Sequence, residues 1–404
     1  GIYFVYKVQQ NGGGTQGIVA TMLGTDMSKK KDMPKINVLL LGASQNLTDT
    51  IMVASYDPNS QTASLMSIPR DTFVGKSKSK ATASDKINSL YQYGPERTLK
   101  AVNDITGLDI KYYLAVDTKA LRELVDAIGG VTFNVPIDMK YTDTSQKLYI
   151  DLKAGEQVLD GNKAEQVVRF RHNDDGSSYP VSYGDNDLGR MKTQRDFLIA
   201  VAKQTLKPSN ILKLTELVDI AKNNVTTNLE FDVIKDYIPH MVEFSTENIT
   251  TAALPGTPEK CNGVWLFIRD KTESQKLIDQ LFLSNYAEVE DSSTTEEEEV
   301  AETEKIEYTT AQKEENEKVT VKIINGSGSD DKAKKLAKEL KEDGFTLEDT
   351  EDSSTVIKTV IINRNDITNE MMERLKSSVG IGSVTVGNKS EKVDVTILLG
   401  QDYK

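Results

Sequence analysis

The chain has 404 residues, of which 38% are apolar and 27% charged, and its formal net charge is −13. This composition excludes a fibrous or wholly disordered chain and is enough for two or three domains. The single cysteine, Cys261, excludes an internal disulfide framework and a multi-cysteine metal site, and two histidines are too few for a His-rich metal centre. No run of 18 apolar residues is present, so we do not expect the chain as given to span a membrane.

The N-terminal residues 1–34 predict a membrane-proximal segment and a linker. Residues 1–8 are mostly apolar and aromatic and end near Lys7, as at the outer edge of a transmembrane helix; a frayed strand is the alternative. Residues 9–34 are rich in Gly, Gln and Lys, a composition typical of a spacer.

Residues 35–285 predict one large α/β (α+β) domain with a central sheet flanked by helices, because strand and helix patterns alternate along this stretch. The predicted strands are 36–41, 50–56, 62–68, 110–116, 131–135, 249–254 and 263–268. The predicted helices are 95–106, 118–128, 190–206, 209–223, 231–244 and 272–282.

An acidic segment separates this domain from a second one. Residues 288–317 contain 13 acidic residues and two lysines, which leaves a charge of −2 for the rest of the chain. We predict a disordered linker over 286–317, with a solvated helix over 305–317 as the alternative. Because the acidity belongs to this segment, the net charge does not exclude an anionic ligand.

Residues 318–404 predict a small C-terminal α/β domain. Its predicted strands are 319–324, 356–362, 383–386 and 393–399, and its predicted helices are 331–343 and 367–377. Asn325-Gly326-Ser327-Gly328 precedes the first of these helices. It is either an anion cradle at a helix N-terminus or a plain turn, and the lack of a following Lys-Ser/Thr favours the turn.

Arginine is scarce and clustered. The chain has 10 arginines against 39 lysines, yet four arginines lie within 27 residues: Arg169, Arg171, Arg190 and Arg195. A guanidinium binds carboxylate or phosphate with two parallel hydrogen bonds, which an ammonium cannot do. The alternation Val168-Arg169-Phe170-Arg171 predicts a strand with both arginines on one face and an anion between them. The alternative is ion pairing with nearby carboxylates: Asp174, Asp175, Asp185 or Asp187.

Two further candidates lie beside predicted strands. Arg70 follows a strand end, where α/β sheets bind ligands, although a local pair with Asp71 is the alternative. Asp49 precedes a strand and is either a ligand of a hard cation or a turn residue. His172 is interpreted as a polar neighbour of the arginines, with a catalytic base as the alternative. The signatures Gly-x-Ser-x-Gly, Gly-x-x-x-x-Gly-Lys-Ser/Thr and His-Glu-x-x-His do not occur.

Taken together, these segments resemble the LytR-CpsA-Psr family of Gram-positive cell-wall enzymes over roughly residues 35–285. Residues 318–404 resemble the small LytR C-terminal domain often appended to that family. The matching residues of the larger domain are Val38–Gly42, Thr48-Asp49-Thr50, Ser67-Ile68-Pro69-Arg70-Asp71, Lys86-Ile87-Asn88 with Tyr91, Asp126–Val131, Leu159-Asp160-Gly161, Arg169-x-Arg171, and Asp187-x-Gly189-Arg190 followed by Gln194.

The resemblance implies a phosphotransferase on the outer face of the cell membrane, held by an N-terminal transmembrane helix upstream of this chain. Such enzymes transfer an anionic glycopolymer, wall teichoic acid or capsular polysaccharide, from a polyprenyl-pyrophosphate carrier to peptidoglycan. No nucleic-acid partner is expected, since no segment reads as a DNA-binding element. The alternatives are a polyprenyl-pyrophosphate hydrolase that uses the same site, and a non-catalytic surface protein that binds lipid-linked polymer.

The resemblance also implies roles for individual residues. The pyrophosphate would be clamped by Arg70, Arg169, Arg171 and Arg190, and Asp49 would hold Mg²⁺ or Mn²⁺. Asp71 and Asp187 would orient arginine or accept a proton. Further substrate contacts are assigned to Lys86, Asn88, Gln194 and Arg195.

The chain departs from the family pattern at two places. Gly42-Ala43-Ser44 stands where many members carry an acidic residue, and Thr193 stands where many carry arginine. The first departure leaves metal affinity open. Lys192 or Arg195 is expected to offset the second.

Overall fold

The computed structural model describes residues 2–29, 33–184, 186–211, 213–283, 307–352, 359–365, 367–386 and 392–404. These residues form two compact units. The first comprises Gly1–Val102 and Ile110–Asp270, and the second comprises Asn103–Asp109 and Lys271–Lys404. Asp185 and the predicted linker residues 286–306 lie outside the described residues.

The first unit is built from short strands and helices. Its strands are β1 (Ile36–Ser44), β2 (Leu47–Asp57), β3 (Thr62–Ser67), β4 (Tyr112–Asp117), β5 (Val131–Val135), β6 (Met139–Asp143), β7 (Leu148–Leu152), β8 (Gly155–Leu159), β9 (Thr226–Thr227), β10 (Ile249–Ala253), β11 (Gly256–Cys261) and β12 (Val264–Arg269). The helices from the N-terminus to residue 241 are α1 (Ile2–Gln10), α2 (Gly14–Leu23), α3 (Pro95–Thr106), α4 (Thr118–Ala127), α5 (Gly161–Arg169), α6 (Asn186–Thr205), α7 (Pro208–Ile211), α8 (Leu214–Asn224), α9 (Phe231–Ile234) and α10 (Ile238–Met241).

A six-stranded sheet in the order β10-β3-β2-β1-β4-β9 forms the centre of this unit. β1 pairs antiparallel with β2 and parallel with β4, so the sheet is mixed. Leu39, Leu41, Ile51 and Val53 on the two middle strands are almost fully buried. Such apolar strands need cover on both faces, which flanking helices supply. The predicted α/β fold with a central sheet is therefore confirmed.

A second apolar core lies beside this sheet and carries much of the candidate site. The antiparallel pairs β5–β8 and β6–β7 pack with α4, α5 and α6 around Phe133, Ile150, Val167 and Phe170. Of these elements, only β5 was predicted from the sequence; β6, β7, β8 and α5 were not.

The predicted strand through Arg169 and Arg171 is wrong. Helix α5 ends at Arg169, and the chain then continues without regular structure. Asp160 caps this helix, since its carboxylate accepts a hydrogen bond from the Lys163 N–H at 2.9 Å. Ala164 and Val167 are buried on one side of the helix. Their spacing of three residues is typical of a helix, whereas the alternation around Phe170 had suggested a strand.

Other predicted elements also differ from the structure. The stretch 9–34, predicted as a spacer, contains helix α2, which buries Val19 and Ala20. The predicted helix 209–223 is divided into α7 and α8, and 231–244 into α9 and α10. Among the described residues, no helix combines the length and the apolar character needed to cross a membrane.

The second unit is a small α/β domain around a sheet of order β14-β13-β18-β16-β17, with β15 also paired to β13. Its strands are β13 (Thr320–Asn325), β14 (Thr346–Leu347), β15 (Glu351–Asp352), β16 (Val360–Asn363), β17 (Ser383–Val386) and β18 (Val395–Leu399). Its helices are α11 (Lys271–Ile278), continued by a π-helical turn Asp279–Leu283, α12 (Thr310–Asn316), α13 (Asp330–Glu342) and α14 (Asn369–Val379). The alternating order of strands and helices agrees with the prediction for residues 318–404.

Two segments join this unit that the sequence did not assign to it. Helix α12 lies in the predicted linker, as the alternative helix had suggested, and the side chain of Asn316 donates to the Asp343 carbonyl at 2.7 Å. The segment Lys271–Leu283 contributes Asp279, which is fully buried and paired with Arg364. Within the Asn325–Gly328 segment, Ser327 Oγ donates to Asn325 Oδ1 at 2.7 Å and accepts from the Ser329 N–H at 3.2 Å.

Candidate active site

Asp49 is placed by a β-bulge. The β1–β2 register shifts between Gly42 and Ala43, so that Thr50 pairs with Gly42 and Thr48 with Ala43, which leaves Asp49 without a partner in the ladder. A bulge of this kind re-aims a side chain away from the pleat. Gly42 suits the position, since a Cβ there would lie 2.9 Å from the Thr50 Cβ.

Two arginines converge on one oxygen of Asp49. Arg70, in the turn after β3, donates from Nη1 to Asp49 Oδ1 at 2.8 Å. Arg171, just beyond α5, donates from Nη2 to the same oxygen at 2.7 Å. Burial alone would raise the pKa of Asp49, but the charges of Arg171 and Arg70 outweigh it and hold this pKa below its ordinary value. Asp49 is therefore ionised at neutral pH, and it draws the two arginines together.

Arg190 on α6 adds a third guanidinium to the same place. Its side chain is almost completely buried, and its Nη2 lies 3.1 Å from Asp187 Oδ1. Burial lowers the pKa of Arg190, Asp187 opposes that shift, and the charges of Arg70 and Arg171 add to it. In the described part of the chain, the buried Nε atoms of Arg70 and Arg190 have no hydrogen-bond partner. Buried donors without partners are costly, so the cluster is suited to receive an anion.

Arg169 lies apart from this cluster. Its Nη1 donates to Glu165 Oε1 at 2.9 Å, and its Nη2 donates to Gln146 Oε1 at 2.9 Å. Glu165 also pairs with Arg122. Among the described residues, neither Arg169 nor Arg171 pairs with Asp174, Asp175 or Asp187; Asp174 instead accepts from the Thr142 N–H at 2.9 Å.

The remaining predicted residues support the cluster. Asp71 does not pair with Arg70; its carboxylate lies 3.1 Å from Lys86 Nζ. The Asn88 N–H donates to the Arg70 carbonyl at 3.1 Å, which fixes the backbone beside that arginine. Gln194 Nε2 donates to the Val168 carbonyl at 3.0 Å and so ties α6 to the end of α5.

Thr193 stands where many family members carry an arginine, and the nearby Arg195 supplies a guanidinium group instead. Thr193 is buried and donates to the Gly189 carbonyl at 3.0 Å, whereas Lys192 pairs with Asp196 at 2.6 Å. Arg195 is nine-tenths buried and donates from Nη1 to Ser67 Oγ at 2.9 Å. Ser67 lines the cavity beside Arg70, so of the two candidates Arg195 is the one that reaches toward the cluster.

Two cavities meet at the cluster, and both are lined by Asp49 and Arg190. The first is narrow and has an apolar side of Ile51, Met52, Ile68 and Met191. The second is polar, has a volume of about 140 Å³, and lies between the β6–β7 hairpin and the loop after α5. Its lining residues include Tyr141, Gln146, Leu148, Arg169, Arg171 and His172. His172 packs edge-on against Tyr141, at a ring-centre distance of 5.0 Å.

Asp49 has one carboxylate oxygen that could bind a divalent cation. Asp49 Oδ1 is taken by the two arginines, while Oδ2 accepts no hydrogen bond from a described residue. The described ranges contain no group of three or more His, Cys, Asp or Glu side chains that could hold a metal ion. The donor set thus fits a cation that takes one protein carboxylate and completes its shell with other oxygens.

Sequence reasoning missed Glu165 and Gln146, which hold Arg169, and Tyr141, which lines the polar cavity. All three lie on elements that were not predicted. The alternation of buried Leu148, Ile150 and Leu152 with exposed Tyr149 and Asp151 was the signal that could have found the hairpin.

Comparison with family models shows which protein family this chain belongs to. The LytR_cpsA_psr family model matches residues 2–282, which is more than half of the chain. The chain belongs to the LytR_cpsA_psr family. A second model, described as LytR cell envelope-related transcriptional attenuator, matches residues 318–403. Both resemblances seen in the sequence are confirmed.

Named relatives in this family are transferases. The polyisoprenyl-teichoic acid–peptidoglycan teichoic acid transferase TagU of Oceanobacillus iheyensis is 30% identical over 61% of this chain and 75% of its own length. The Bacillus subtilis enzyme of the same name is 28% identical over 63% of this chain and 82% of its length. The prediction that the chain is an enzyme of the transferase class is confirmed by these relatives.

Solved structures agree on the fold. Bacillus subtilis TagV matches with a TM-score of 0.50 and 24% identity, covering 61% of this chain and 96% of the other. The Streptococcus agalactiae protein gbs0355 matches with a TM-score of 0.52 and 20% identity, covering 63% and 88%. At these identities the likeness shows the fold of the larger domain alone.

Proposed function

We propose that this protein transfers an anionic glycopolymer from a polyprenyl-pyrophosphate carrier to peptidoglycan at the outer face of the cell membrane. The observation that carries the proposal is the convergence of Arg70 and Arg171 on Asp49 beside buried Arg190. Three guanidinium groups around one carboxylate retain an excess of positive charge, which suits a pyrophosphate. Wall teichoic acid is the first polymer to test, because teichoic acid appears in the names of the relatives; capsular polysaccharide is the second.

The two cavities suggest how the donor lies. The narrow cavity beside Ile51, Met52 and Met191 has room for about one water molecule (about 10 Å³), so it would have to widen along this apolar side to receive the start of the polyprenyl chain. The polar cavity beside Tyr141 and Gln146 suits the first sugars of the polymer. The pyrophosphate would then lie where the cavities meet, and its oxygens would replace Asp49 as the partners of Arg70 and Arg171.

In the proposed reaction, a hydroxyl of the acceptor attacks the sugar-linked phosphorus, the bond from that phosphorus to the bridging oxygen breaks, and the hydroxyl proton passes to the departing phosphate. The new bond joins the polymer phosphate to peptidoglycan, and polyprenyl monophosphate leaves. Fixed guanidinium groups stabilise the charge that develops on the phosphoryl oxygens, which is usually the largest catalytic contribution. We assign Asp71 and Asp187 to orienting roles, since each is paired with a cation, Lys86 and Arg190 respectively.

We propose Mg²⁺ or Mn²⁺ as a cofactor, with Asp49 as its protein ligand. The oxygen Oδ2 is open for this purpose, and Oδ1 becomes available when the arginines turn to the pyrophosphate. The ion would neutralise phosphoryl charge and polarise the reacting phosphorus. An anchor upstream of Ile2 would keep the enzyme beside its lipid-linked donor.

An assay of both products tests the proposed function. The full chain is incubated with a synthetic polyprenyl-pyrophosphate-linked polymer, with or without peptidoglycan. We expect polyprenyl phosphate release and polymer on peptidoglycan in equal amounts, and both should depend on the acceptor. Equal release without peptidoglycan would identify a hydrolase, and binding without release would identify a non-catalytic polymer-binding protein.

A further inference from the structure

The β11–β12 hairpin presents an aromatic and cationic face that the mechanism above does not use. Trp265 is the only tryptophan of the chain, and 59% of its surface is exposed. Phe267 and Arg269 follow at alternate positions of the same strand and are half-buried, so all three point to one face. The antiparallel partners of Phe267 and Trp265 are Pro258 and Lys260, which share that face. We call these five residues the hairpin platform.

The opposite face of the hairpin holds the platform in place. Cys261 and Leu266 are buried there in a small apolar cluster with Ala81. The tight turn at Asn262-Gly263 has positive φ at both residues, and Asn262 Nδ2 donates to the Ala81 carbonyl at 3.0 Å. The platform is therefore a supported surface on two packed strands.

The charges of the platform are unbalanced. Among the described residues, neither Lys260 nor Arg269 forms an ion pair or a side-chain hydrogen bond. Burial lowers the pKa of Arg269, and no carboxylate opposes that shift. Two cations beside the exposed Trp265 ring and the half-buried Phe267 ring are complementary to an anionic ligand with flat apolar faces.

The platform is continuous with the candidate active site. The Phe267 N–H donates to the Asp71 carbonyl at 2.8 Å, and the Phe73 N–H donates to the Phe267 carbonyl at 2.9 Å. Asp71 directly follows Arg70 and pairs with Lys86. Trp265 lies two residues further along the strand, or ~7 Å. A polymer on the platform would thus extend from the segment that carries Arg70.

We propose that the hairpin platform binds the acceptor, a peptidoglycan glycan strand, with sugar rings stacked on Trp265 and stem-peptide carboxylates paired with Lys260 and Arg269. This inference rests on the proposed function, because that reaction needs an acceptor beside the donor. A membrane surface is a poorer fit. The tip of the hairpin is Asn262-Gly263, which offers no apolar side chain for insertion into lipid.

The fluorescence of Trp265 can be used to measure ligand binding to the hairpin platform. The full chain is titrated with soluble peptidoglycan fragments freed of teichoic acid, with lipid-free teichoic acid, and with anionic phospholipid vesicles, while tryptophan fluorescence is recorded. We expect a saturable change with peptidoglycan, weakened about tenfold in Arg269→Gln and in Lys260→Gln. A change with teichoic acid or vesicles but none with peptidoglycan overturns the proposal.

Co-sedimentation with purified cell-wall sacculi completes the test. Trp265→Ala should bind about tenfold more weakly, Trp265→Phe should retain most of the affinity, and Tyr149→Ala is the control at an exposed aromatic of another hairpin. Equal binding by Trp265→Ala and the unmodified chain overturns the platform. Peptidoglycan binding without polymer transfer would instead contradict the proposed function and leave the platform standing.

Discussion

Asp49 organises the arginine cluster in the absence of substrate. It lies on a bulge and accepts from Arg70 and Arg171 through one oxygen, while Arg190 is buried nearby. This carboxylate holds the guanidinium groups in place before the donor arrives, so the cost of ordering them is met during folding. The pairing is also weak enough to exchange, since the Asp49 side chain is 38% exposed.

Arg171→Lys should lose most of the transfer activity although it keeps the charge. A lysine presents one point charge where the guanidinium presents two parallel donors, and a charged hydrogen bond of this kind contributes ~1.5–3 kcal/mol, or about 10- to 100-fold in rate. Transfer of radiolabelled polymer to peptidoglycan measures the loss. Arg97→Lys, at an exposed position of α3, is the matched control. Nearly unchanged rates in Arg171→Lys would show that charge alone is sufficient.

Arg169→Lys should also lose most of the activity, but for a different reason. Arg169 spans Glu165 and Gln146 with its two terminal nitrogens, and lysine cannot reach both. The wall of the polar cavity would loosen, so we expect the KM for the polymer donor to rise in addition to the loss in kcat. Steady-state kinetics with donors of different polymer length separate the two effects. A kcat loss that is identical for all donors, with unchanged KM, would place Arg169 on the phosphate instead.

Asp49→Asn should lower the stability of the protein in a pH-dependent way. Because the pKa of Asp49 is lowered in the folded state, its contribution is complete above the unfolded pKa of about 4 and is lost as pH falls through the folded value. For a partly exposed pair we expect about 1 kcal/mol near pH 7 and a vanishing difference near pH 2. Urea unfolding of both proteins at several pH values measures this. A difference that persists unchanged in acid would remove the ion pairs as its cause.

Mg²⁺ binding tests the proposed role of Asp49 as a metal ligand. With one protein carboxylate, the apo protein should bind Mg²⁺ weakly, and a short-chain donor analogue should tighten binding. Asp49→Ala should abolish that synergy. Calorimetric titration with and without the analogue gives the comparison. Tight Mg²⁺ binding by Asp49→Ala would reject Asp49 as the ligand and make Asp71 the first alternative.

Helix α5 and the strands before it explain which parts of the site the sequence could predict. Asp49 and Arg70 were found because they flank apolar runs that were predicted as strands, where position along the sequence is informative. The partners of Arg169 were not found, because they come from α5 and from the β6–β7 hairpin, both missed. The alternation of apolar and charged residues around Phe170 favoured a strand. The N-cap at Asp160 and the burial of Val167 in the second core stabilise a helix instead.

Gly161 is the position at which α5 is most sensitive. A Cβ on Gly161 would lie 2.7 Å from the Arg122 Cα, which is backbone and cannot simply move aside. Gly161→Ala should therefore destabilise the protein by about 1–3 kcal/mol and displace Arg169. Thermal unfolding and transfer rates measure both effects, with Lys163→Ala on the exposed side of α5 as control. Full stability in Gly161→Ala would mean that α5 and α4 are less tightly packed than described.

The division of the chain into units was only partly visible in its sequence. Composition marks the acidic stretch well, but it cannot show that Lys271–Leu283 packs with the C-terminal unit. That attachment depends on the buried pair of Asp279 and Arg364, two residues 85 positions apart. Burial raises the pKa of Asp279 to about 6 in spite of the Arg364 charge, so the ionised pair is held at a cost in desolvation.

The Asp279–Arg364 pair predicts a specific pattern of stabilities. Asp279→Ala alone leaves a buried arginine without its partner and should cost about 3–5 kcal/mol in the unfolding of the second unit. Replacing both residues, as Asp279→Leu with Arg364→Met, should restore most of that stability, since apolar side chains of similar size avoid the desolvation penalty. Differential scanning calorimetry distinguishes the variants. If the double variant is no more stable than Asp279→Ala, the pair itself and not the lone charge determines stability.

For the whole protein, the proposed function depends on one exchange: a pyrophosphate replaces Asp49 as the partner of Arg70 and Arg171. The most direct measurement is calorimetric binding of a short-chain polyprenyl pyrophosphate and of the matching monophosphate to the full chain and to Arg171→Lys. We expect the pyrophosphate to bind at least tenfold more tightly than the monophosphate, and Arg171→Lys to remove most of that preference. Equal affinities for the two lipids, or a preference that survives Arg171→Lys, would contradict this exchange.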